Sequence, residues 1–168
     1  MSIKPFHSLL ILVLIFGISG CGFKLRGSAE PLPVQIRQLA LVGIDKGSNL
    51  YQALAHALIG AGATLSQAED SDKGALLTIH RVGQSRDEIS ASGGQTLYRA
   101  TLEVVFSLSR DKQPKLIDSR KLRASREFSF DSNNPYGLEQ QDILLRNELQ
   151  QDLVRQMINQ IRAVGSTH

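Results

Sequence analysis

Between residues 96 and 109 apolar and polar side chains alternate: Tyr98, Ala100, Leu102, Val104, Phe106 and Leu108 interleave with Thr101, Glu103, Ser107 and Ser109. A period of two puts successive side chains on opposite sides of a pleated strand, so one face is predicted to be core and the other wet. Extended segments flank this one. Ala75 to Ile89 reads as a long strand in which Leu77 and Ile79 oppose Leu76, Thr78, His80 and Val82, and Leu116 to Phe130 reads as another. Ser90-Ala91-Ser92-Gly93-Gly94 has the composition of a hairpin loop, and Asp111-Lys112-Gln113-Pro114 that of a second turn, so the three strands should run as a meander.

Towards both ends the period changes to three and four. Leu50, Ala53, Leu54, Ala57, Leu58 and Ala61 predict a helix that opens on the cap residue Ser48 and stops at Gly60 and Gly62. Leu138, Ile143, Leu144, Leu149, Leu153, Val154, Met157, Ile158 and Ile161 predict a long amphipathic helix, begun after the break Asp131-Ser132-Asn133-Asn134-Pro135 and closed at Gly165. A short apolar strand, Gln38 to Ile44, precedes the first helix; Thr64 to Asp72 is a polar connection with room for a brief strand. Two amphipathic helices need one apolar surface to cover. The expected fold is therefore α+β, a two-layer sandwich of two helices on one face of a four-stranded mixed sheet in the order β-α-β-β-β-α. The strand-helix-strand start favours a right-handed crossover and a parallel neighbour for the first strand. No internal repeat occurs at solenoid periods.

The first residues belong to none of these elements. Lys4 precedes an apolar run from Leu9 to Phe16, and the small residues Gly17, Ser19 and Gly20 lead to Cys21. Basic, apolar and small segments in that order make an export signal. The run is far shorter than the roughly 20 residues that span a bilayer. Ile18-Ser19-Gly20-Cys21 resembles the lipobox of bacterial lipoproteins, which implies cleavage before Cys21 and acylation of its sulfur. Cys21 is the single cysteine of the chain, so a lipid there leaves no thiol for a disulfide. One acyl chain holds a protein only marginally, and the three chains such lipoproteins carry are ample for a membrane anchor. Gly22, where an aspartate would favour retention at the inner membrane, implies the outer membrane. The organisation is then a signal peptide over residues 1–20, an acylated N-terminus and tether over 21–37, one domain over 38–164, and a tail over 165–168.

Removing the leader takes Lys4 from 19 basic residues against 16 acidic ones, so the net charge falls from +3 to +2. With so mild a charge, position matters more than total. Cations gather late, at Lys112, Lys115, Arg120, Lys121, Arg123 and Arg126. On composition alone Arg120-Lys121-Leu122-Arg123 could be a nucleic-acid patch, but export makes nucleic acid an unfitting partner. A solvated strand face and a site for an anionic ligand are both open. His7, His56, His80 and His168 lack metal-ligand spacing, and no cysteine is free to help, so no metal or other cofactor is expected. There is neither a Gly-x-Ser-x-Gly elbow nor a phosphate loop. The acidic pairs Asp70 with Asp72 and Asp87 with Glu88 sit at element ends, where carboxylates are ordinary surface. The chemistry is that of a binding or structural protein, not an enzyme.

Cys21-Gly22-Phe23-Lys24-Leu25-Arg26-Gly27 resembles the start of mature members of the LptE family of lipopolysaccharide-assembly lipoproteins. Arg126-Glu127-Phe128-Ser129-Phe130-Asp131, leading into the last helix, is similar to that family as well. The resemblance implies an outer-membrane lipoprotein, facing the periplasm and barrel lumen, that plugs the β-barrel LptD in a 1:1 complex, helps it assemble and takes part in lipopolysaccharide delivery. Lipopolysaccharide carries phosphates and carboxylates, which Arg and Lys recognise, Arg in bidentate fashion. Lys121, Arg123 and Arg126 are the first candidates for that contact, with Arg99 and Arg86 near the hairpin as the next. Ser90 to Gly94 is the candidate for reaching the barrel wall. Charges alternating along an exposed strand also serve simply to discourage aggregation. The competing expectation is a free-standing periplasm-facing lipoprotein that binds an anionic glycan or lipid without a barrel.

Overall fold

A computed structural model describes residues 31–67, 74–110, 115–131 and 136–164. Its strands are β1 (Gln38–Val42), β2 (Thr64–Ser66), β3 (Ala75–Ser92), β4 (Gln95–Arg110) and β5 (Ile117–Asp131), with helices α1 (Asn49–Gly60) and α2 (Tyr136–Val164). They form one mixed sheet in the order β2-β1-β3-β4-β5. β1 lies parallel to both β2 and β3, while β3, β4 and β5 make the antiparallel meander. The sheet thus has five strands rather than the four expected, and the element order gains a strand after α1. β2 is only Thr64-Leu65-Ser66, too short to show a period, and it forms because β1 offers it a parallel edge from Gln38 to Ala40.

The helices cover one face. Along β4, Ala100, Leu102, Val104, Phe106 and Leu108 are each at most 6% exposed. From α2, Leu149, Leu153, Met157 and Ile161, at most 1% exposed, pack in the same cluster as Leu50, Leu54 and Leu58 of α1. Each such side chain contributes about 1.5–3 kcal/mol by leaving water. α1 starts as expected: the Ser48 hydroxyl accepts from the Tyr51 amide at 3.2 Å. On α2, however, Ile143 and Leu144 do not join the buried stripe; they are 56% and 62% exposed. Among the described side chains of α2 the buried stripe is first seen at Leu145, and Ile143 and Leu144 lie on the outer side of the turn that carries it inward, while the side chain of Leu138 lies outside the described ones.

The end of the stretch taken as tether is packed. Leu32 is fully buried, its amide donates to the Ala61 carbonyl at 2.8 Å, and Ile36 is buried in a short 3-10 turn, Val34–Ile36. Arg37 fastens this lead-in by donating from Nε to the Leu32 carbonyl at 3.0 Å.

The hairpin has almost no loop. β3 and β4 run to Ser92 and Gln95, leaving Gly93 and Gly94, both with positive φ, as a two-residue turn. Positive φ at both central positions is the requirement of the mirror-image type I′ turn, which matches the twist of the flanking strands. The longer alteration lies within β3. Ile79 pairs with Phe106 but Arg81 pairs with Val105, so His80 is an extra residue in a β-bulge. From Arg81 to Glu88 the chain has exchanged faces relative to a regular strand, and a second register shift follows at Ile89. Val82 comes to lie opposite Val104 on the helix side, whereas Arg81, Gly83, Ser85 and Asp87 emerge on the face without helices. The face shared by His80 and Val82 in a regular alternation is therefore corrected by the bulge.

Candidate functional site

On the helix-free face the register places four rows of side chains across the three long strands. Arg81, Val105 and Lys121 form one row; Gly83, Glu103 and Arg123 the next; then Ser85, Thr101 and Ser125; and last Asp87, Arg99 and Glu127. Adjacent strands are about 4.8 Å apart, so side chains in a row are direct neighbours. Gly83 has no side chain, and its absence leaves a shallow polar concavity of about 220 Å³ between Arg81, Ser85 and Asp87 on one flank and Thr101, Glu103 and Arg123 on the other.

Glu103 organises the floor. Its side chain is 12% exposed and receives Lys121 Nζ and Arg123 Nη2, each at 3.1 Å. Hydrogen bonds from Lys121 first and Arg123 second hold its carboxyl below the ordinary value of 4.5. Both cations remain largely solvated, at 60% and 63% exposure, so Glu103 orients them without covering them. Two rows further out Arg99 pairs with Glu127 at 2.6 Å, with both side chains about half exposed. Arg81 stands apart. Its side chain has no ion pair or hydrogen bond among the described residues, and its guanidinium lies beside the empty Cβ position of Gly83.

The five cationic candidates are consequently divided between two faces. Lys121, Arg123 and Arg99 share the open one. Arg126 falls opposite Ala100 on the helix side, where its guanidinium pairs with Asp152 of α2, a carboxylate also held by Arg155. Arg126 thus fastens the long helix to the last strand. Arg86, also opposite Ala100, places its guanidinium 5.7 Å from the centroid of Tyr98, whose ring stacks on Phe128 at 5.6 Å. The basic run is split likewise: Arg120 turns to the helix side and donates to Gln160 of α2 at 2.6 Å.

Arg81, Gly83, Ser85, Thr101 and Glu103 are groove residues that the sequence did not single out as part of a site. Glu103 was legible as a wet-face position on the best-patterned strand. The face of Arg81 and Gly83 depends on the bulge, for which the alternation carries no signal. At that bulge His80 Nε2 lies 2.8 Å from Ser107 Oγ, a contact that ties the extra residue to β4. Among the described residues no three His, Cys, Asp or Glu side chains gather as a metal site, and no helix is long and apolar enough to cross a membrane. Cys21, His7, His168, Asp70, Asp72 and the 132–135 and 111–114 turns lie outside the described residues.

Comparison with known proteins gives this arrangement its relatives. A minor lipoprotein from Acinetobacter baumannii, solved as a crystal structure, is similar with a TM-score of 0.65 and 27% identity over 79% of this chain and 94% of that one. Lipoprotein B from Nitrosomonas europaea, solved in solution, is similar with a TM-score of 0.68 and 20% identity over 87% and 94% of the two chains. Rare lipoprotein B from Shewanella oneidensis has a TM-score of 0.64 at 15% identity over 75% and 94%, a likeness of fold. No curated protein sequence matches the chain significantly. The sequence profile of the LptE family, described as lipopolysaccharide-assembly, matches residues 36–161, which takes in both helices, all five strands and the open face. The chain belongs to the LptE family of lipopolysaccharide-assembly proteins.

Proposed function

We propose that this chain is a non-catalytic lipoprotein of the outer membrane, anchored through acyl groups on Cys21, that occupies the lumen of the β-barrel LptD, helps that barrel assemble and contacts lipopolysaccharide during its delivery to the cell surface. The family match over residues 36–161 carries this reading. An export signal ending in Ile18-Ser19-Gly20-Cys21 supports the anchor. Barrels of some twenty strands or more have a lumen wide enough to need a plug. A domain with one sheet face sealed by helices and the other lined by charges suits such a space, because it can meet a polar lumen on every side. Anchoring beside the barrel confines the domain to the same membrane and raises its effective concentration there.

Of the cationic candidates, Lys121, Arg123 and Arg99 remain suited to lipopolysaccharide anions. Arg86 does too, through its exposed guanidinium near the hairpin. Arg126 is reassigned to fastening α2. The decisive experiment is gentle detergent extraction of the tagged chain followed by mass identification of what accompanies it. One large barrel protein in equal amount is expected, together with a mature chain that starts at an acylated Cys21. A chain that emerges alone, or with a bare thiol or an uncut leader, overturns the proposal.

A further inference from the structure

We propose that the helix-free face of the sheet holds a binding groove for an anionic saccharide, with Arg81 and Arg123 taking the phosphate or carboxylate above Gly83 and with Ser85, Thr101 and Asp87 taking the sugar hydroxyls. This deepens the lipopolysaccharide reading by giving a ligand of that class a place, and it rests on that reading only for the source of the sugar.

The groove is built by a register accident that the strand maintains. The bulge at His80 delivers Arg81 and Gly83 to the open face, and Gly83 is the one position in its row without a side chain. A Cβ there would meet nothing nearer than the Arg81 guanidinium at 3.9 Å, so the space belongs to solvent and not to a neighbouring element. Its two flanks differ in chemistry. Arg81 has no partner among the described residues, and Arg123 spends one nitrogen on Glu103. A guanidinium carries five N–H donors, so Arg123 keeps most of its fork for an anion while Glu103 fixes its direction. Beyond Gly83, the Ser85 hydroxyl donates to Asp87 at 3.3 Å. There a carboxylate and two hydroxyls offer the acceptors that sugar hydroxyls require. A volume of about 220 Å³ accommodates more than a lone phosphate. No aromatic ring lines it, so recognition would rest on polar contacts and not on stacking.

The test uses the whole chain in detergent micelles, labelled for amide NMR and titrated with N-acetylglucosamine 1-phosphate, with neutral N-acetylglucosamine, and with lipopolysaccharide. Two variants accompany it: Gly83→Val fills the groove without changing charge, and Arg81→Gln removes the unpartnered cation. The phosphorylated sugar should shift the amides of Gly83, Ser85, Thr101 and Arg123, the neutral sugar should not, and each variant should weaken binding at least fivefold while urea unfolding stays at the parent midpoint. Shifts with both phosphorylated sugar and lipopolysaccharide assign the groove to the lipid headgroup. Shifts with the free sugar phosphate alone keep the groove and assign it another source. Lipopolysaccharide binding with an unmoved groove, or groove shifts indifferent to both variants, overturns this inference and leaves the assembly role to its own test with the barrel.

Discussion

Gly43 ends β1 with φ of +82°, and a Cβ built there would run into the carbonyl oxygen of Ile79 and sit 3.0 Å from its carbon and 3.2 Å from its nitrogen. Ile79 is the last residue before the bulge, so the missing Cβ of Gly43 lets the chain leaving the first strand run close beside the point where β3 changes faces. Alanine at this position would be strained twice. The left-handed conformation costs an L-residue about 1–2 kcal/mol. Forcing a methyl against backbone held in a central strand adds about 1–3 kcal/mol. A stiffer unfolded chain returns about 0.4–1 kcal/mol. Gly43→Ala is therefore expected to lower the unfolding free energy by about 1–4.6 kcal/mol, or about 2–18 °C in Tm for a domain of this size. Urea unfolding followed by far-ultraviolet circular dichroism measures it, the midpoint falling at an unchanged slope. Gly60→Ala is the control. Gly60 lies in α1 with nothing within 4 Å of its Cβ position, so alanine should stabilise there by up to about 1 kcal/mol. If Gly43→Ala unfolds within about 0.5 kcal/mol of the parent, the close passage under Ile79 is wrong, and with it the account of how the bulge is held.

The two sides of α2 should respond differently to truncation. Leu153 is fully buried, so Leu153→Ala is expected to cost about 3–5 kcal/mol, whereas Leu144→Ala, at a site 62% exposed, should stay within about 0.5 kcal/mol in the same urea assay. Acid should destabilise the domain through Glu103 and Asp118. Their folded pKa values lie below the ordinary 4.5 and 3.8, through hydrogen bonds from Lys121 and Arg123 in one case and Lys115 in the other. The stability they provide is complete above those ordinary values and is lost as pH falls through the lowered ones. Glu103→Gln should flatten the fall in stability measured by urea titrations below pH 4.5, and an unaltered slope would remove Glu103 from that account.

The elements most readable in the chain are those where one face is wholly apolar. β4 declares itself because every second residue from Ala100 to Leu108 is core, and α2 because Leu149 to Ile161 keeps its stripe for several turns. Ile143 and Leu144 are less readable. Adjacent leucine-like residues fit a stripe on either side of the helix, and only packing reveals that Leu145 joins the core while Ile143 and Leu144 do not. β2 was unreadable for another reason: three residues with one leucine have no period, and their strand state is imposed by β1. The cations were readable as charges and unreadable as positions. Arg120 and Lys121 are neighbours in sequence, yet one donates to Gln160 across the core side and the other to Glu103 on the open side.

The open face depends on one inserted residue of β3. Side chains in a strand repeat every two positions, so His80 in the ladder moves the segment from Arg81 to Glu88 to the other face, until a second irregularity at Ile89 shifts the ladder again. With a regular ladder, Arg81, Gly83, Ser85 and Asp87 would lie on the helix side of the sheet and Val82 on the open one. The bulge reverses this. Val82 comes opposite Val104, the charges come opposite Val105 and Arg99, and the gap at Gly83 opens towards solvent beside Glu103. Two features border the bulge: His80 against the hydroxyl of Ser107, and Gly43 running beside the Ile79 carbonyl where a Cβ would clash. The open face is thus a consequence of backbone geometry in β3 more than of the charge pattern in β5, and relatives with the same basic residues but a regular third strand should lack the groove.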